Sequence, residues 1–205
     1  MNSRIVPLLV VLAFILGMLG YSQASRNSEL KDGNRILADS YPKHAYQAAY
    51  EQKSDPDVGV MVIFSDGMGH VRVESNFANT KNTFTTIYDF TTAKKYFMKE
   101  AEKTFMVSGM SSLGMGFMDE EMFKSTGAEK LPPQEINGRP AVGYRSTIVG
   151  DGAAQIESWF DQSTGCLMTS KTKNVTYTLT RYTSKPPQSY LFEVPKDYKE
   201  VPLGF

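Results

Sequence analysis

The sequence predicts an α+β, mainly β fold: one large antiparallel sheet, curled and covered by helices. Three observations carry this. From Val58 onward the apolar pattern has period two, through nine or ten successive segments. The links between those segments are short and polar, which suits antiparallel neighbours, because parallel strands need a long crossover. Helical patterning is confined to the amino-terminal region and one short central stretch, so the helices lie upon the sheet instead of alternating with its strands.

Residues 34–53 read as helical, with Ile36 and Leu37 followed by Tyr46 and Tyr50 at an i,i+4 spacing around Ala45, Ala48 and Ala49. Pro42 splits this region or opens its second helix, and Asp55-Pro56-Asp57 stops it. Val58–Phe64 and Val71–Ser75 then flank Ser65-Asp66-Gly67-Met68-Gly69, a hairpin turn with two glycines free to take positive φ. Phe84–Phe90, Lys94–Met98 and Thr104–Val107 continue the strands. Asp119–Thr126 reads as a short helix, with Asp119 as N-cap, Glu120 and Glu121 at the positive end of its dipole, Met118 stapled onto Phe123, and Gly127 closing it. After Leu131-Pro132-Pro133, strands follow at Ile136–Val149, Ala154–Phe160, Cys166–Thr172 and Val175–Thr183.

At 205 residues the chain is 41% hydrophobic, 12% aromatic and 21% charged, with 22 basic and 22 acidic residues. That balance argues against a nucleic-acid binder, which needs a basic surplus to displace counterions, and against a polybasic membrane-surface protein. One charge in Met1–Arg4, an apolar run Ile5–Gly20 and a Ser22-x-Ala24 site make an export signal, cleaved near Ala24. The apolar run is shorter than the roughly 20 residues a spanning helix needs. The organisation expected is a signal peptide at 1–24, a flexible polar leader at 25–33 and a single domain at 34–205, residing in the periplasm as a monomer. The lone Cys166 excludes a disulfide framework or thiolate metal cluster and suits a small core residue.

Catalytic patterns are missing. Ser108–Gly116 is glycine-rich but lacks the Lys-Ser/Thr of a phosphate loop, and no G-x-S-x-G occurs. His44 and His70 offer only chance pairings with serine. A non-enzymatic protein with no cofactor is expected. The methionines are the unusual feature: Met98, Met106, Met110, Met115, Met118 and Met122 fall within 25 residues. Thioethers select soft Cu(I), with Met115, Met118 and Met122 nearest to chelating spacing. Flexible methionines also line surfaces that adapt to apolar ligands, or simply fill a core. Gly109, Gly114 and Gly116 suit a mobile covering loop.

Several phrases occur in one order. Val71-Arg-Val-Glu-Ser75 is followed by Thr86-Ile-Tyr-Asp-Phe90, Lys94-Lys-Tyr-Phe-Met98 and Lys103-Thr-Phe-Met106. Gly127-x-Glu129, Ile136-Asn-Gly-Arg-Pro-Ala-Val-Gly-Tyr144 and Ser158-Trp-Phe160 come next, and Ser189-Tyr-Leu-Phe-Glu-Val-Pro-Lys-Asp-Tyr198 closes the series. Over roughly Asp57–Val201 this resembles a family of exported bacterial domains related to the outer-membrane lipoprotein carrier LolA. The resemblance implies an incomplete, strongly curved antiparallel β-barrel of about 9–11 strands, with helices covering its concave face over an apolar cavity. In the carrier, an arginine on an early strand hydrogen-bonds the helical lid, and Arg72 looks like its counterpart. The central methionine–glycine segment departs from the carrier pattern.

The expected function is to bind or carry an apolar small molecule, an acyl chain or lipoprotein-like cargo, with only transient membrane contact. A Cu(I)-binding module and an envelope structural domain that contacts another envelope protein remain the alternatives. Alternation and the central segment nominate as cavity or lid residues Met61, Ile63, Arg72, Tyr96, Met98, Phe105, Met110, Met115, Phe117, Met118, Tyr144 and Trp159.

Overall fold

The strands follow one another so closely that each pairs mainly with its neighbours in sequence. In the computed structural model, residues 41–54, 56–77, 83–110, 120–125, 127–148 and 154–202 are described. Two meanders form. The first is β1 (Ala45–Ser54), β2 (Asp57–Asp66), β3 (His70–Phe77), β4 (Thr83–Asp89), β5 (Lys94–Lys99) and β6 (Thr104–Gly109). The second is β7 (Glu129–Ile136), β8 (Arg139–Ile148), β9 (Ala154–Asp161), β10 (Leu167–Lys171) and β11 (Thr176–Thr183). Antiparallel pairing of β1 with β11 joins them. The two-residue β12 (Lys199–Glu200) adds in parallel to β6. The result is one open 12-stranded curved sheet with β12 and β7 at its edges.

Short polar side chains set the hairpins. Asp66 Oδ1 accepts from the amides of Met68 (2.7 Å) and His70 (3.0 Å), while Gly67 and Gly69 take φ of 73° and 110°. Asp89 does the same for Thr91 and Thr92 after β4, and Asp161 for Ser163 and Thr164 after β9. Such side-chain acceptors imitate a backbone turn and hold the strands in register.

The sheet corrects three expectations and leaves a fourth, the helical cover, unconfirmed. Residues 45–54 are a central strand, not a helix; residues 34–40 lie outside the described residues. Tyr46 and Tyr50 are four apart, a spacing that fits one strand face as well as one helix face. Ala48 and Gln52 complete the period-two buried row. Partners on both sides override the alanines' helix preference. Ile136–Val149 is not one strand: Asn137 and Gly138 both take positive φ (50° and 75°) and turn β7 into β8. Pro132 and Pro133 do not break the pattern but sit in the bulged edge strand β7, where a missing N–H costs least. Lastly, the expected cover of several helices is represented, among the described residues, by α1 alone (Glu120–Ser125) with two 3₁₀ turns, η1 (Glu100–Glu102) and η2 (Ser189–Phe192).

Directly paired residues share a face, so the registers divide the sheet cleanly. On the core face Tyr46, Ala48 and Tyr50 of β1 stand beside Ile63 and Met61 of β2, Val71 of β3, Tyr177 of β11, Ile156 and Phe160 of β9 and Tyr144 of β8. Helix α1 docks here: the Phe123 ring lies 5.6 Å from Phe160 and 6.1 Å from Tyr144, and Tyr144 donates to Glu120 Oε1 at 3.2 Å. Gly127, at φ 67°, ends the helix.

On the outer face, the carboxy-terminal chain forms a strap across β3–β6. Arg72 Nη1 donates to the Leu191 carbonyl of η2 at 3.1 Å, and His70 lies 6.1 Å from the Phe192 ring. Lys103 pairs with Asp197 at 2.6 Å, and Lys199 and Val201 donate to the carbonyls of Lys103 and Phe105. On this strapped face Ile87 and Met98 are buried away from the main core.

Candidate functional site

The nine nominated residues that are described divide between the two faces of the sheet. Met115, Phe117 and Met118 lie outside the described residues, as does the side chain of Met122. Met61, Ile63, Met110 and Tyr144 belong to the core cluster. Arg72, Tyr96, Met98, Phe105 and Trp159 point to the opposite face, because Arg72 pairs with Ile87, Ile87 with Tyr96, Met98 with Phe105, and Trp159 with Gly143. These five cannot line one surface with the other four. Trp159 instead covers Gly143, where an added Cβ would meet the ring at 2.6 Å.

Arg72 carries three contacts: Nε to Glu74 Oε1 at 2.6 Å, Nη1 to the Leu191 carbonyl, and Nη2 at 3.7 Å from Glu100 Oε1. Its Nη1 holds a 3₁₀ turn by the Leu191 carbonyl. That turn is η2 of the strap, on the outer face.

Side chains on the core face change character across the sheet. In its centre a polar row runs in register from Gln52 through Tyr177, Ser170 and Ser158 to Tyr144, all buried. Gln52 Nε2 donates to Tyr177 at 3.4 Å, Ser75 donates to Gln52 Oε1 at 3.0 Å, and the Ser158 and Ser170 hydroxyls are 2.8 Å apart. Burial raises the phenol pKa of both Tyr177 and Tyr88, so both stay neutral donors.

Toward β6 the burial lessens. Three rows cross β3–β6 on this face: Val71, Tyr88, Lys95 and Ser108; Val73, Thr86, Phe97 and Met106; Ser75, Phe84, Lys99 and Thr104. Apart from Val71 and Tyr88, all are half-buried. Phe84 and Phe97 stack with centroids 6.0 Å apart. This wing is an apolar floor of two phenylalanines, Met106 and Val73, continuous with the packed core and partly open. Burial lowers the Lys95 ammonium pKa below the usual lysine range.

Phe84, Phe97, Lys95 and Lys99 are the residues of this wing that the sequence reading passed over; Met106 was noted only as one of the clustered methionines. In β5, Tyr96-Phe97-Met98 is apolar throughout, so its period is silent. Alternation chose Tyr96 and Met98 as inward. A faint signal existed in Thr104-Phe105-Met106-Val107, whose unbroken apolar run marks a strand covered on both sides. Among the described residues, no three His, Cys, Asp or Glu side chains gather in a group that could hold a metal.

No family model matches the sequence, and no curated protein matches it. Solved structures do resemble the chain. An uncharacterized conserved protein from Thermus thermophilus has a TM-score of 0.57 at 9% identity, over 86% of this chain and all of that one. The MucA/MucB complex of Pseudomonas aeruginosa gives a TM-score of 0.49 at 15% identity, over 85% of this chain and 64% of that one, so this chain spans under two thirds of it. The LolA superfamily protein NE2245 from Nitrosomonas europaea gives 0.41 at 9% identity, over 81% and 96%. The fold is shared with the Thermus protein, and LolA superfamily proteins are among the structures this chain is similar to.

Proposed function

We propose that this chain is an exported, non-enzymatic binding domain of the periplasm that holds an apolar ligand, a lipid or an acyl chain, against the core face of its open sheet. One observation carries the reading: the core face grades from sealed aromatic packing at β1 to a half-open floor of Phe84, Phe97, Met106 and Val73 at the β4–β6 wing. Acyl methylenes laid there leave water at about 0.8 kcal/mol each. Export rests on the Met1–Ala24 pattern.

The test is native mass spectrometry of gently purified protein, followed by extraction and identification of lipids. A ligand adduct that disappears on extraction is expected. Recovery of apo mass alone, with no uptake of a fluorescent fatty acid by the extracted protein, refutes the reading.

A further inference from the structure

Charge on β3–β6 is segregated by face. The acidic residues of these strands, Glu74 and Asp89, both lie on the outer face, where Glu74 meets Arg72 and Asp89 pairs with His70 and Lys94. On the core face the same strands carry Lys95 and Lys99 and no carboxylate. The two lysines bracket Phe97 along β5, with their Cα atoms about 13 Å apart at strand rise. Glu102 of η1 approaches Lys99 from outside the sheet at 3.6 Å. Beside Lys99, the buried Thr104 Oγ1 has no hydrogen-bond partner among the described residues; buried hydroxyls are rarely left so.

An apolar floor needs no cations. Lysine stems can cover it; burial disfavours the Lys95 ammonium, at a cost that a bound anion recovers, while the Lys99 side chain is 44% exposed and open to a ligand head. An ammonium has three donors, so a protein partner does not exhaust it. Resting on the binding function above, we propose that the ligand is an anionic amphiphile: its acyl chain lies on Phe97, Phe84 and Met106, and its carboxylate or phosphate head is taken by Lys95 or Lys99.

Calorimetric titration of the delipidated full-length mature protein with dodecanoate, dodecyl phosphate and dodecanol separates the possibilities. The anions are expected to bind about tenfold more tightly than the alcohol, with the margin shrinking at high salt. The double variant Lys95→Met/Lys99→Met, its fold checked by circular dichroism, is expected to bind all three alike. A preference for dodecyl phosphate over dodecanoate, or the reverse, identifies which head the lysines take. Equal binding of anions and alcohol by the wild type overturns the anionic head and leaves the binding function standing. Failure of all three to bind overturns both.

Discussion

Asp161 offers the sharpest test of how this sheet is held in register. It is 1% exposed and ends β9. Its Oδ1 accepts from the amides of Ser163 and Thr164, each at 2.9 Å, and from both hydroxyls, while Oδ2 meets Arg139 Nε at 2.7 Å. Replacing it with alanine leaves two turn amides without their acceptor and Arg139 without its partner. Ser163 is exposed, so water recovers part of that loss, and Arg139 is 39% exposed, so its ion pair adds under 1 kcal/mol or so. The expected cost of Asp161→Ala is about 3 kcal/mol, read as a lowered urea midpoint with unchanged slope. Asp161→Asn keeps an oxygen toward the amides but turns an NH2 toward the exposed Arg139, which must swing into water, so about 1–2 kcal/mol is expected. Burial disfavours the charged carboxylate, but the Ser163 and Thr164 hydrogen bonds outweigh it and hold the pKa below the ordinary aspartate value. The unfolded carboxyl titrates near about 3.9. The stabilisation is therefore fully present above that pH and is lost as pH falls through the lower folded value. Wild type should lose its advantage over Asp161→Ala in that acid window. An alanine variant within about 0.5 kcal/mol of wild type, or an asparagine variant as damaged as alanine, would refute the turn-acceptor account.

Other perturbations follow from the same geometry. Arg72→Met removes the donor to Leu191 and should loosen the strap, so that the Lys199 and Val201 amides exchange hydrogen about tenfold faster relative to β1 amides; unchanged exchange would mean β12 pairing alone holds the strap. Gly143→Ala puts a methyl 2.6 Å from the Trp159 ring, costing about 1–3 kcal/mol and shifting the fluorescence of the chain's single tryptophan; unaltered emission would place the ring elsewhere. Phe123→Ala empties a site 1% exposed between Tyr144 and Phe160, with an expected loss of about 3–5 kcal/mol and early proteolytic cleavage around α1. Retained protease resistance there would show that α1 is anchored by other contacts.

Much of the sheet is legible in the sequence because most hairpins begin with Asp or Thr or contain glycine, and these residues act locally. Asp66, Asp89 and Asp161 each bond to amides within four residues, so no distant part of the chain is needed to place the turn. β1 was hidden for the opposite reason. Its partners β2 and β11 lie on both sides, and β11 is more than a hundred residues away; only that pairing distinguishes a strand from a helix when tyrosines recur at four. The faces were harder still. A pattern reports which residues avoid water, not which side they leave it on. In β5 Met98 is buried on the strapped face and Phe97 is half-buried on the core face, so the apolar run alone does not say which of them faces the core. The decisive residues are Lys95 and Lys99, whose charge says surface while their register says core face. A lysine that a strand turns inward beside phenylalanine contradicts its own local preference. Such contradictions gather where a protein does something other than fold. That is why a ligand should be sought on the core face of the β4–β6 wing, where the sequence nominated the opposite-facing Tyr96, Met98 and Phe105.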